Sequence, residues 1–196
     1  MTLPRTPSFR LDDRRALVAG ASSGIGAAAA VALGEQGAHV TLCARRDTEL
    51  AALAAEMTAA GMSADILPLD ITDVAATEAA LARLPAFDIL VNSAGTARHS
   101  PAVDTTPHDF DAATALNFRA AYFLTRTVAA RLIATGKPGS LINITSQMAH
   151  VGGIDRAVYS ATKHAVEGMT KSMAIEWGPH RIRVNTLCPT FIRTPL

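Results

Sequence analysis

Neither sign of charge dominates this chain: 18 Lys and Arg stand against 17 Asp and Glu, a net charge of +1. So balanced a sequence offers no electrostatic reason to bind nucleic acid or an acidic membrane surface, and neither is expected as a partner. Cysteine is nearly absent. Cys43 and Cys188 both sit in apolar runs, which reads as two buried free thiols in a reducing compartment, not a disulfide. No apolar run approaches the length of a bilayer span, and the opening MTLPRTPSFR lacks the apolar stretch of a signal peptide. A cytoplasmic location is expected. Internal linkers, repeats and low-complexity segments are missing too, so residues 1–196 read as one domain.

What is present is a globular composition, 49% hydrophobic and 18% charged. Short apolar runs alternate with alanine-rich helical stretches. Strands are predicted over 16–20, 39–44, 64–70, 88–95, 140–146 and 182–189, and helices near 25–36, 48–60, 73–84, 107–135 and 157–177. The strand runs are mostly continuous and not alternating, as in a parallel sheet covered on both faces. At the start of the 107–135 stretch, Thr106 is placed to cap, Pro107 to open the first turn and Asp109 to follow it. Strand and helix in alternation predict an α/β fold, a Rossmann-like doubly wound parallel sheet in three layers.

The first strand runs into VAGASSGIG, residues 18–26. Gly20, Gly24 and Gly26 stand in GxxxGxG spacing, not the GxGxxG of the dinucleotide fingerprint, but the physical logic is shared. A turn without side chains lets backbone approach a pyrophosphate, and the following helix offers unpaired N–H groups at the positive end of its dipole. Ser22 and Ser23 add hydroxyl donors, with Ile25 between the last two glycines. A tight turn with glycines for packing is the plainer reading. The second strand ends at Ala44, eighteen residues beyond Gly26, and Arg45 and Arg46 follow. An acid there would accept from ribose hydroxyls and repel a 2′-phosphate. Two guanidiniums suit the phosphate instead, so NADP(H) is favoured over NAD(H). The alternative is a solvated loop with Arg46 paired to Asp47 or Glu49.

Taken in order, the motifs from Gly20 to Thr194 resemble those of the short-chain dehydrogenase/reductase family. GASSGIG matches the family's TGxxxGIG, with Ala19 in place of the usual threonine. The resemblance implies that Asp70 of LDITD contacts the adenine amino group, with Ile71 beside it. NSAG, residues 92–95, stands for NNAG. Asn92 would brace the central strands, and Ala94 and Gly95 would pass under the cofactor. ALNFRAAY supplies Asn117, NITSQ supplies Ser146 and YSATK supplies Tyr159 and Lys163. Ser146 and Tyr159 stand thirteen residues apart, as in the family. CPTFIRT takes the place of PGxxxT, with Thr190 replacing the glycine while Pro189 and Thr194 keep their places. By the same resemblance Thr194 would bind the nicotinamide carboxamide.

Four residues apart on a helix, Tyr159 and Lys163 share a face one turn apart. A free phenol titrates near ~10 and serves poorly at neutral pH, and a nearby ammonium favours the phenolate. The phenol can then protonate a ketone oxygen, or take the proton of an alcohol in reverse. Lys163 would also reach the nicotinamide ribose. Ser146 would donate to the substrate oxygen, and the Asn117 amide would hold a water linking Lys163 to solvent. Each residue has a plainer reading: a packed Tyr ring, a solvated Lys, a Ser capping a loop, an Asn bonding backbone at a kink. His150 reads as a flexible surface histidine, and 166–177, with Met and Trp at helical spacing, as core or subunit packing.

Family members continue past the position of Thr194 with a substrate-covering segment, further helix and a seventh strand. The chain therefore reads as lacking its carboxy-terminal part, with the sixth strand left as an exposed edge. The expected function is NADP(H)-dependent interconversion of a secondary alcohol and a ketone, the substrate being a small molecule such as a 3-oxoacyl thioester or a sugar acid. The competing reading is a non-catalytic dinucleotide-binding regulator or scaffold subunit. No metal is expected. The apolar surface of 107–135 suggests a homodimer or homotetramer.

Overall fold

A computed structural model of the chain describes residues 6–194; part of the amino-terminal stretch read for a signal peptide lies outside them. Six strands form one parallel sheet: β1 Arg15–Ala19, β2 His39–Ala44, β3 Ser63–Pro68, β4 Ile89–Asn92, β5 Gly139–Ile144 and β6 Ile182–Leu187. Their spatial order is β3-β2-β1-β4-β5-β6, so the chain reverses direction of travel across the sheet at β1 and β4. In this topology the crevice beyond the carboxyl ends of the two central strands is where a ligand sits. In register, Leu17 lies between Thr41 and Leu90, and Ala19 between Cys43 and Asn92.

Alternate residues of each strand face opposite layers. Leu17, Leu90 and Leu141 pack with Leu81, Leu124, Leu132 and Met169, which come from α3 Val74–Ala82, α5 Ala121–Thr135 and α6 Ala157–Trp177. Val18, Val40 and Leu42 pack on the other side with Ala30, Leu50 and Met57 of α1 Gly24–Glu35 and α2 Asp47–Ala59. The predicted three-layer, doubly wound arrangement is thus observed.

Two departures from the sequence reading have physical causes. The strands at the sheet margins are not covered on both faces: β3 exposes Ser63, Asp65, Ile66 and Pro68, and β6 alternates buried Ile182 and Val184 with exposed Arg183, Asn185 and Leu187. A margin strand packs on one face only, and the charged and amide residues at these positions tolerate water. The 107–135 stretch is not one uniform helix. It begins as α4 Pro107–Thr114, with the Thr106 hydroxyl accepting from Asp109 N at 3.1 Å as expected. It then widens to a π-helical segment over Ala115–Ala120 before resuming as α5. Such widened turns occur disproportionately at functional sites, and this one carries Asn117.

Candidate active site

A cleft of about 410 Å³ opens at the carboxyl ends of β1 and β4. Its floor is the turn after β1. Gly20 has φ +77°, and a Cβ there would stand 2.7 Å from Ala94 N, so only glycine allows the β1 turn and the NSAG segment to approach this closely. A Cβ on Gly26 would meet the Gly20 carbonyl oxygen at 2.1 Å, so Gly26 sets the seat of α1 on β1 and does not line the cleft. The α1 N-cap, Ser23, is extended and makes no side-chain cap, and the first turn carries no acid. The uncapped amides and the dipole therefore present positive potential to the cleft, which fits a pyrophosphate.

Arg45 and Arg46 part company. Arg46 donates to the Ser22 hydroxyl at 2.8 Å and to Ser23 at 3.0 Å, and lies 3.5 Å from Glu49. Part of the plainer reading therefore holds for it. Both serine oxygens accept, which leaves their O–H groups to donate. Arg45 lines the cleft with no side-chain partner among the described residues. Across from it, Asp70 accepts from Thr72 N at 3.0 Å and Thr72 Oγ1 at 2.7 Å. Partial burial pushes its carboxyl up, but these two bonds and Arg45 hold it below the usual carboxylate range. Ile25, Ile71, Ala94, Gly95 and Thr194 complete the wall. Asn92 and Pro189 lie outside it. Asn92 is buried and joins β4 to β5, donating to Asn143 Oδ1 at 3.1 Å. The Pro189 carbonyl accepts from Gln147 N at 2.9 Å.

None of Asn117, Ser146, Tyr159 and Lys163 lines this cleft; Asn117 and Lys163 lie behind Gly95. A Cβ on Gly95 would come within 3.3 Å of Asn117 Oδ1 and 3.6 Å of Lys163 Nζ, so this glycine separates the cleft from both side chains. Lys163 is only 6% exposed and donates to the Ile144 carbonyl at 2.9 Å. The solvated-lysine reading is thereby excluded. Burial draws its ammonium down to about 8, with the Cys188 sulfur pulling the other way. The Nζ atom stands 5.7 Å from the centre of the Tyr159 ring. Ser160, Ala161 and Thr162 between them are small, and Thr162 takes a hydrogen bond from Asn117 Nδ2 at 3.2 Å.

Asn117 is buried in the π-helical segment. Its Oδ1 accepts from Thr96 N at 2.8 Å, and Nδ2 donates to Thr96 O at 2.9 Å as well as to Thr162. Both amide hydrogens are thus engaged in clamping the loop after β4 onto α6. A water could meet only the carbonyl side of this amide, a narrower role than the sequence reading gave it. Ser146 follows β5 by two residues. Its Oγ accepts from Met148 N at 3.1 Å, capping a short turn over Gln147–Ala149. Capping engages only a lone pair, so the O–H remains available.

Three neighbours of this site escaped the sequence reading. The His99 ring meets Tyr159 edge-to-face at 5.7 Å, and Arg156 donates to His99 Nε2 at 2.7 Å. A guanidinium has no lone pair to offer, so Nε2 is the unprotonated nitrogen and the ring is neutral. Desolvation, then Arg156, hold His99 below its ordinary value. Their signal, basic residues in loops on either side of the site, is too common to single out. The third is Glu167, one turn beyond Lys163, buried and bonded to Thr145, Thr186 and Cys188. Burial raises its carboxyl, but the Cys188, Thr186 and Thr145 bonds together bring it below the ordinary value. Cys188 is accordingly no apolar thiol; it is half-buried in a polar cluster, whereas Cys43 is buried as expected and pushed up to about 12 by desolvation. Among the described residues no helix is long and apolar enough to cross a membrane.

Comparison with known proteins agrees with this geometry. A family model described as short chain dehydrogenase matches residues 14–196. D-erythrulose reductase of Gallus gallus is 40% identical over 190 residues, spanning 97% of this chain and 76% of the relative. L-xylulose reductase of Bos taurus is 39% identical, spanning 96% and 75%. The crystal structure of a gluconate 5-dehydrogenase from Burkholderia cenocepacia J2315, in complex with NADP and tartrate, is 36% identical and superposes with a TM-score of 0.90 over 94% of this chain and 74% of its own. By the family match over residues 14–196 and these identities, the chain belongs to the short-chain dehydrogenase family, as an NAD(P)-dependent oxidoreductase acting on CH–OH groups.

Proposed function

We propose that the protein is an NADP(H)-dependent reductase/dehydrogenase that interconverts a polyhydroxylated ketone, or a sugar acid, with its alcohol. The observation that carries this reading is the buried Lys163 ammonium beside the Tyr159 ring. A dinucleotide sensor or scaffold has no use for a cation desolvated beneath a phenol, so this feature favours catalysis over the non-catalytic alternative.

When bound, the dinucleotide supplies or accepts a hydride at the substrate carbon. Gly20, Gly24 and the α1 N-terminus would hold its pyrophosphate, with Ser22 and Ser23 donating and Ile25 alongside. Arg45 is the guanidinium left for a 2′-phosphate, since Arg46 is already engaged with the two serines. Asp70 and Ile71 would border the adenine, Ala94 and Gly95 the ribose, and Thr194 the nicotinamide end. Asn92 acts at a distance by fixing β4 to β5, and Pro189 by seating the turn after Ser146.

In reduction, the Tyr159 O–H gives its proton to the carbonyl oxygen as that oxygen gains charge; in oxidation, the phenolate takes the alcohol proton. Lys163 sets a positive charge 5.7 Å from the centre of the Tyr159 ring, and with its ammonium at about 8 it stays mostly charged at pH 7. The Ser146 O–H donates to the same substrate oxygen, and Asn117 keeps the β4 loop against α6. The Arg156–His99 pair at the rim supports a polar substrate over an acyl chain. Its neutral imidazole and guanidinium can donate to hydroxyl or carboxylate groups. The two reductases named above act on short ketoses by name, and the gluconate dehydrogenase structure holds tartrate, which supports the same class. Replacing Tyr159 with Phe is expected to reduce kcat by at least about 10³-fold while NADPH still binds. Turnover of a sugar acid or short ketose that is unchanged in this variant would refute the mechanism.

A further inference from the structure

Outside the cleft's lining, three side chains from three separate elements converge. His150 belongs to the loop after Ser146, Glu167 to α6 and Cys188 to the segment leaving β6. His150 Nε2 lies 3.3 Å from Cys188 Sγ, Cys188 Sγ lies 3.1 Å from Glu167 Oε1, and Nε2 to Oε1 is 4.0 Å. All three ligand atoms fall within 4.8 Å of one another.

Hydrogen bonds hold the Glu167 carboxylate, and all of them come from neutral groups. Glu167 is 8% exposed, and the groups bonded to it, Thr145, Thr186 and Cys188, are neutral donors. Among the described residues no lysine or arginine forms an ion pair with it; its one potential cationic partner is His150 at the 4.0 Å limit. The cluster thus gathers a charged carboxylate beside two further groups with lone pairs to offer, with no cation among them. The other two members are a thiol and an imidazole, which are ligands for a borderline-soft metal and not for magnesium or calcium.

We propose that His150, Glu167 and Cys188 form a three-ligand site for zinc or a similar divalent transition metal, with a fourth position open to solvent. The geometry is close to what such an ion requires. Bond lengths of about 2.0–2.3 Å in a tetrahedron place neighbouring ligand atoms roughly 3.3–3.6 Å apart, against the observed 3.1, 3.3 and 4.0 Å. The exposed His150 ring would close on Glu167 Oε1 by roughly 0.6 Å, and the Cys188–Glu167 pair would open by a few tenths of an ångström. Entry is from the solvent side, past that ring. On binding, the Cys188 S–H bond breaks: sulfur keeps the electron pair and donates it to the metal, and the proton leaves to solvent. No electron is transferred, so no oxidant or reductant is involved. Because His150 and Ser146 share one loop, the ion would tie that loop to α6 and to the end of β6. The site is separate from the dinucleotide cleft, and the inference stands independently of the proposed reaction.

The test uses the full natural chain, stripped of metal and titrated with Zn²⁺ against a chromophoric chelator. One equivalent is expected to bind with low-micromolar affinity or tighter, and saturation to raise the melting temperature by roughly 5 °C. Co²⁺ in the same site is expected to show the near-ultraviolet absorption of a cobalt–thiolate bond. Cys188→Ser should abolish that band, and both Cys188→Ser and His150→Ala should weaken zinc binding at least about tenfold. Cys43→Ser should leave both unchanged, and NADPH binding reports that each variant is folded. Failure of wild-type protein to bind zinc at about 100 μM, or binding that survives in folded Cys188→Ser and His150→Ala, overturns the proposal.

Discussion

Lys163 makes stability depend on pH in a direction opposite to that of most lysines. Its ordinary value is 10.5 and burial lowers it to about 8 in the folded protein. Below pH 8 both folded and unfolded chains hold the proton, and the folded one bears a desolvated ammonium. Above pH 8 the folded protein releases the proton while the unfolded chain keeps it until about 10.5. The unfolded state then binds more protons, so stability from this group rises with pH across that window. The shift corresponds to about 3 kcal/mol in all, of which about 2–3 kcal/mol is regained between pH 7 and pH 10. Other groups titrate over the same range, so the informative quantity is a difference. Guanidinium unfolding of the cofactor-free protein and of Lys163→Met, each at pH 7, 8, 9 and 10, isolates it. The wild type should gain about 2–3 kcal/mol relative to the variant over the series. Losing the bond to the Ile144 carbonyl offsets the two curves but does not change their relative slope. Stability curves that run parallel to within ~0.5 kcal/mol would refute the claim that this ammonium is desolvated.

Further outcomes follow from the glycine turn, the arginine pair and the buried amide. Gly26→Ala should cost about 3 kcal/mol or more in chemical unfolding, because the new Cβ is aimed at a backbone oxygen that has nowhere to go. Arg45→Ala should weaken NADPH binding by roughly 10- to 100-fold by fluorescence titration and leave NADH binding nearly unchanged; an unaltered NADPH:NADH ratio would remove Arg45 from the 2′-phosphate. Asn117→Ala strips partners from the Thr96 N–H and C=O and should lower stability by about 2–4 kcal/mol. Backbone amide exchange at Thr96 should accelerate with it.

The parts of this molecule that could be read in advance are those fixed by local rules. Continuous apolar runs located all six strands, and the Thr106-Pro107-Asp109 sequence located the start of α4, because both depend on a few neighbouring residues. The glycine turn was legible for the same reason: close backbone approach admits only one residue type. Distant partners were not legible. Nothing in NSAG or NITSQ says that Asn92 meets Asn143 across a strand boundary, and nothing in VEGM marks Glu167 as a buried acid. Spacing from Tyr159 to Lys163 gave a shared face but not burial, which depends on β5 supplying the Ile144 carbonyl. The π-helical widening at Asn117 was hidden as well, since ALNFRAAY has the composition of an ordinary helix and the distortion follows from the amide's tertiary bonds.

The Asn92–Asn143 pair bears on how the chain finds its fold. The strands that meet there belong to opposite halves of the sequence, and the two residues are direct partners in the parallel register. A slip of one residue between β4 and β5 would turn one amide toward the other layer and break the bond between the two, leaving each only its remaining partner, Ala94 N for Asn92 and Thr125 for Asn143. The correct alignment is rewarded by the Asn92–Asn143 bond, where β4 of the first half of the chain meets β5 of the second. The pair therefore favours the native register of β4 against β5. Holding that register fixes the strand that leads into the NSAG segment against the strand that leads to Ser146.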